Sequence, residues 1–179
     1  EFHHDKPHPA ETEFFDRVGK DLLKVNILRR NVQSFFWKSL PHIHATPDGF
    51  VYSGVHKKVA VVEVKQCNSS KSTGIRMIKG TEEKPQYEVV PGHDWETQVI
   101  FHMMTTGLNL AYLAVKQDDE WRICRVEYDN NKSEMVAKNV EKRYRTLLKR
   151  FKVERADELK VFNKKGRGRP KKSTCQRQR

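Results

Sequence analysis

Three side chains concentrate the chemistry this sequence can perform. Asp48 lies in the turn Pro47-Asp48-Gly49, and Glu63 and Lys65 lie in the apolar run Val61-Val62-Glu63-Val64-Lys65. Side chains alternate between the two faces of a strand, so Glu63 and Lys65, two residues apart, point the same way. Two carboxylates converging beside an amine can hold a divalent cation and direct water at a phosphodiester. That reaction needs a placed nucleophile and neutralisation of developing charge. Mg2+ prefers oxygen ligands and keeps several waters, so Asp48, Glu63 and the backbone carbonyl of Val64 are enough protein ligands for it or for Mn2+. Lys65 would position or deprotonate the attacking water, or stabilise the pentavalent charge. Pro-Asp-Gly is also a common turn, and Glu-x-Lys a common solvated pair. Here, however, the pair interrupts a run that would otherwise be buried, and buried charges are rare unless paired or ligating.

The elements that must position these groups can be read along the chain. Residues 11–38 carry Phe14, Phe15, Val18, Leu22, Val25 and Leu28 at three- and four-residue steps, which predicts helix up to Pro41. His42 to Thr46 is expected to be extended, leading into the turn. Phe50 to Ser53 and Lys58 to Lys65 predict two strands, the second apolar enough on both faces to be central. Residues 66–92, rich in Ser, Lys and Gly, predict a long functional or mobile loop. Asp94 can cap a helix from Trp95 to Thr106, ended by Gly107. Leu108 to Val115 and Trp121 to Val126 predict strands around the turn Asp118-Asp119. Residues 133–151 place Val136, Val140, Tyr144, Leu147, Leu148 and Phe151 on one helical face. The expected fold class is α/β, a mixed sheet flanked by helices.

Charge is unevenly placed. Of the 35 Lys and Arg, eight fall in residues 163–179, which hold no acid; residues 1–162 keep 27 basic against 23 acidic residues. The expected organisation is a flexible terminus over 1–10, one domain over 11–162 and a basic tail over 163–179 that is disordered when free. Such an arm reads as a polyanion binder or an import signal. Cys67, Cys124 and Cys175 lack metal-ligand spacing and suggest a reducing, intracellular setting. No apolar run approaches 18 residues, so no membrane partner is expected.

The motif Pro47-Asp48 … Glu63-Val64-Lys65 resembles the PD-(D/E)xK nuclease superfamily. Within it, the chain is similar to the phage lambda exonuclease group, also called YqaJ-type viral recombinases. Those proteins follow the motif with a helix bearing Gln-Val, then Met and Thr. Here Gln98-Val99, Met103 and Thr106-Gly107 match, followed by the expected apolar strand. The resemblance covers roughly residues 45–150. It implies a restriction-endonuclease-like core with a central mixed sheet, one or two metals, and Gln98 beside Lys65, orienting the lysine or the nucleophile. It also implies an acidic residue on the first helix, with Glu13 the first choice over Asp16 and Asp21. Ile100 stands where the family has a second glutamine, and the family's end-binding segment is not recognisable, which leaves endonuclease and exonuclease modes both open. Members of the group form rings around DNA; no feature of this sequence marks a subunit interface.

Further candidates lie around this set. His44 is either a metal ligand, as in the cap-snatching endonucleases of the same superfamily, or a polar strand-edge residue. His102, one turn after Gln98, either touches the scissile phosphate or is a partly exposed helix histidine. Lys71, Arg76 and Lys79 in the long loop can grip phosphates or remain solvated. The tail segment Lys164-Lys165-Gly166-Arg167-Gly168-Arg169-Pro170-Lys171-Lys172 resembles an AT-hook. Gly168 would let the backbone lie deep in a narrow A·T minor groove, Pro170 would hold it extended, and Arg167 and Arg169 would splay along the floor. The flanking lysines would add phosphate contacts. The expected function is therefore a Mg2+- or Mn2+-dependent DNA nuclease, nuclear, targeted by this arm. The alternatives are a noncatalytic DNA-binding or architectural protein on the same fold, and an RNA-cleaving, cap-snatching-like endonuclease.

Overall fold

The computed structural model describes residues 8–53, 57–67, 74–79 and 86–150. The chain opens with α1 (Pro9–Glu13), a π-helical turn (Phe14–Val18) and α2 (Gly19–Leu23), ended by Lys24 in the left-handed region at φ 52°. Seven strands then build the main sheet: β1 (Ile27–Arg30), β4 (Gly49–Ser53), β5 (Lys58–Cys67), β6 (Ile75–Lys79), β7 (Gln86–Val89), β8 (Leu110–Gln117) and β9 (Glu120–Glu127). Their spatial order is β1-β4-β5-β8-β9-β7-β6, and β2 (Phe35–Trp37) with β3 (Leu40–Ala45) forms a separate two-stranded hairpin. The β5–β8 and β7–β9 pairs are parallel and the others antiparallel, so the sheet is mixed, as the sequence predicts. The crossover between β5 and β8 includes α3 (Asp94–Thr106), the kind of long connection a parallel pair requires. The architecture is consistent with a restriction-endonuclease-like core.

The two faces of β5 separate the layers. Ala60, Val62 and Val64 join Ala10, Phe14, Leu28 and Val51 in a core beneath the first helical segment. Val61, Glu63 and Lys65 point to the other face, where Gln98 and His102 of α3 reach Glu63. The hairpin packs on this second face through Trp37 against Phe101 and Phe35 against Phe50, with ring centroids 6.0 and 5.5 Å apart.

Three expectations need correction. The helix predicted over 11–38 stops at Leu23, because Lys24 turns left-handed; Leu28 keeps its place in the core from a strand paired with β4. The loop predicted over 66–92 contains the hairpin of β6 and β7, joined to β9 at Tyr87 and Cys124. Asp94 begins α3 rather than capping it, and the cap is His93, whose Nδ1 accepts the Trp95 N–H at 3.2 Å.

The last helix, α4 (Asn130–Arg150), buries Ser133 and Val136 in its first turns. Compact units divide after Ala137; the second, Lys138–Arg179, is described only as helix up to Arg150. Among the described residues no helix is long and apolar enough to cross a membrane.

Candidate active site

Strand register brings Asp48 to Glu63. The last β4–β5 pair is Gly49 with Val62, so the residue before Gly49 falls beside the residue after Val62. Asp48 Oδ2 accepts the Val64 N–H at 2.7 Å, which ties the turn to β5. The turn is also clamped from β1's end: Asn31 N–H donates to the Asp48 carbonyl at 2.8 Å and Asn31 Nδ2 to the Pro47 carbonyl at 2.9 Å. Gly49 has no freedom to be larger, since a Cβ there would overlap the Phe15 ring and press on the Arg29 carbonyl 2.5 Å away.

Glu63 is 1% exposed. Its Oε1 accepts from Lys65 Nζ and from Gln98 Nε2, each at 2.6 Å. Its Oε2 lies 3.1 Å from His102 Nδ1, yet the two atoms are not aligned for a hydrogen bond, and both stay buried with that capacity unfilled. Burial pushes the Glu63 carboxyl up, but His102 and Lys65 outweigh it and hold it below the ordinary carboxylate range. Asp48 goes the other way. Burial first, then the Glu63 charge, raise it from 3.8 to about 7, against the opposing Val64 N–H bond. Of the two carboxyls, Asp48 is therefore the one that holds a proton near neutral pH.

This set fits a hard divalent cation. Glu63 Oε2 is a buried acceptor without a hydrogen bond, and Asp48 is a carboxyl that a nearby positive charge would ionise. In a strand, one residue's N–H and C=O leave on the same side. The Val64 N–H reaches Asp48, so its carbonyl also leaves β5 on the β4 side, beyond the last β4–β5 pair and on the side of Asp48. Among the described residues no group of three or more His, Cys, Asp or Glu that could hold a metal ion comes together, so a cation here would need the Val64 carbonyl and water beside Asp48 and Glu63.

The structure thus brings together Asp48, Glu63, Val64, Lys65 and Gln98. Gln98 contacts Glu63 rather than lying against Lys65 alone. His44 is exposed on the hairpin, its ring 5.7 Å from that of Phe36. Glu13 is committed to Lys116 of β8 at 2.5 Å, and Asp16 faces Arg30 at 3.8 Å. The first-helix acid whose charge acts on Asp48 is Glu11, not Glu13, Asp16 or Asp21. His102 is 4% exposed and faces Glu63, neither of the two placements expected for it. The i, i+4 spacing from Gln98 carried that signal. Arg76 lies on β6 and pairs with Glu88 at 2.6 Å, and Lys79 ends that strand. Lys71 and the arm residues Lys164, Lys165, Arg167, Gly168, Arg169, Pro170, Lys171 and Lys172 lie outside the described residues.

No protein-family model and no curated protein matches the sequence. Among solved structures, the chain is similar to the crystal structure of SSO0001 at 14% identity and a TM-score of 0.41, covering 66% of this chain and 51% of that one. It is similar to LHK-Exo, an alkaline exonuclease from Laribacter hongkongensis, at 13% identity and a TM-score of 0.43, over 81% of this chain and 75% of that one. LHK-Exo in complex with dAMP gives 13% identity and 0.41, over 79% and 67%. The chain spans about half the length of SSO0001.

Proposed function

We propose that this chain is a metal-dependent deoxyribonuclease. The observation that carries the reading is Glu63, a carboxylate 1% exposed, held by Lys65 and Gln98 through one oxygen, facing His102 Nδ1 at 3.1 Å with the other, and close enough to Asp48 for its charge to act there. A buried charge in that state is costly for a fold, and it suits a cation-binding role. Asp48, Glu63 and the Val64 carbonyl would hold Mg2+ or Mn2+, which neutralises charge building on a phosphate during hydrolysis. Lys65, 22% exposed at its side chain, reaches the same space and would orient water or steady the phosphate. Gln98 fixes the Glu63 carboxylate plane. The basic arm over 163–179 would add A·T-directed minor-groove binding and a nuclear address.

The test is cleavage of circular and linear duplex DNA with Mg2+ or Mn2+. Wild type should cut, Glu63→Ala should not, and Lys65→Ala should slow cleavage by about 100- to 1,000-fold. Cutting of circles assigns endonuclease mode, and consumption of linear DNA alone assigns exonuclease mode. DNA binding without cleavage by wild type under either cation would favour the architectural reading, and a strong preference for RNA would favour the RNA-cleaving one.

A further inference from the structure

The segment that delivers Asp48 has an unusual charge pattern. Between Asp21 and Asp48 the chain carries Lys24, Arg29, Arg30 and Lys38, with His42 and His44, and not one carboxylate. Residues 31–46 of that segment form the β2–β3 hairpin and its approach. Alternation along the hairpin turns Phe35, Ala45 and Trp37 inward and leaves the opposite face exposed. On that face Phe36 sits directly across from His44, and Ser34 Oγ lies 2.8 Å from Thr46 Oγ1. Phe36 is 61% exposed, an unusual position for a large aromatic ring, and exposed His44 lies beside it with ring centroids 5.7 Å apart. Burial does not explain it, because the hairpin already packs its other face through Phe35 and Trp37.

We infer that the outer face of this hairpin is a nucleobase-stacking platform, with Phe36 and His44 receiving a base of the DNA strand next to the site formed by Asp48 and Glu63. The inference rests on the nuclease reading for the identity of the site, but the platform can be tested by binding alone. Exposed aromatic rings are sequence-tolerant stacking surfaces, and residues 31–46, which carry Lys38 and no carboxylate, do not repel a phosphate backbone. Geometry supports the pairing of the two. His44 is four residues from Asp48, at most about 14 Å of extended chain, which spans about four nucleotides at 3.4 Å each. The Asn31 bonds to the Pro47 and Asp48 carbonyls tie the base of the hairpin to the turn, so the platform keeps its place relative to the carboxylates.

The experiment measures affinity of the full chain for single-stranded DNA in EDTA, where cleavage cannot occur. Salt is set at about 0.2 M to suppress the backbone contribution. Stacking of one base predicts that Phe36→Ala weakens binding by about 5- to 100-fold, that Phe36→Leu does the same, and that Phe36→Tyr stays within about twofold of wild type. Cross-linking to iododeoxyuridine-substituted DNA should map to the peptide containing Phe36. Phe36→Ala binding within twofold of wild type, full affinity of Phe36→Leu, or a cross-link only elsewhere would overturn the inference. Failure of wild type to cleave with metal, beside a Phe36-dependent affinity, would refute the nuclease reading and leave the platform standing.

Discussion

Asp48 makes the metal-free protein less stable as pH rises, and the size of the effect follows from its surroundings. Burial and the Glu63 charge lift its pKa from 3.8 to about 7 in the folded state. The unfolded chain therefore loses this proton first, and between those values the folded state binds more protons than the unfolded one. Stability then falls with pH: the contribution is fully present below about 3.8 and gone once pH passes about 7. The gap is a little over three pH units, which at about 1.4 kcal/mol each gives a ceiling of about 4 kcal/mol. Water entry and relaxation around a carboxyl that is not fully buried reduce this, so the expected loss is about 1–3 kcal/mol. The control is Asp48→Asn, whose side-chain carbonyl can still accept the Val64 N–H but carries no charge. Urea unfolding in EDTA at pH 5, 6, 7 and 8 should show wild type weakening while Asp48→Asn stays level. At pH 8 the variant should be the more stable of the two. Adding Mn2+ should restore wild type and leave the variant unchanged, since a ligand stabilises only the state that binds it. A flat wild-type profile, or a variant weaker than wild type at pH 8 without metal, would refute the electrostatic account of the site.

His102→Ala should lower Mn2+ affinity about 10- to 100-fold, by releasing the Glu63 oxygen it faces, with calorimetric titration as the check. An unchanged affinity would make His102 a packing residue only. Gly49→Ala should cost about 1–3 kcal/mol in urea unfolding, because its Cβ meets the Phe15 ring and the Arg29 carbonyl. Deleting residues 163–179 should weaken duplex DNA binding and flatten its dependence on salt, while the rate of cleavage at saturating DNA stays within a fewfold.

Much of this arrangement was legible in the residues, for reasons that differ between elements. The central strand could be read because a strand covered on both faces is apolar throughout, so Glu63 and Lys65 stood out against Val61, Val62 and Val64. The α3 helix carried its own stop at Gly107, which takes φ 71°. The first helix was overextended because Val25 and Leu28 continue a helical rhythm by coincidence; both pack against the same core from non-helical backbone. The β6–β7 hairpin is short, Ile75–Lys79 and Gln86–Val89, and the Ser-, Lys- and Gly-rich stretch before it hides its Ile75, Met77, Tyr87 and Val89 alternation; its pairing with β9 is not a local property. Glu11 and His102 were placed by tertiary packing. The i, i+4 spacing puts His102 on the face of Gln98, but which partner that face meets, and that Glu11 comes near Asp48, depends on how the first helix and α3 lie across β5.

The parallel pairing of β5 with β8 has a consequence for when the site comes into being. Glu63 lies opposite Leu113, fifty residues later, and Gln98 and His102 reach it from the crossover between them. A contact of such sequence separation closes late, after the loop entropy of the whole crossover has been overcome. On a ribosome, the carboxylates are made well before the strand that shelters them. Before β8 has left the exit tunnel, the strand that pairs beside Glu63 is absent. The grouping of Asp48, Glu63, Gln98 and His102 is therefore a late product of folding, assembled only when β8 closes the sheet beside β5.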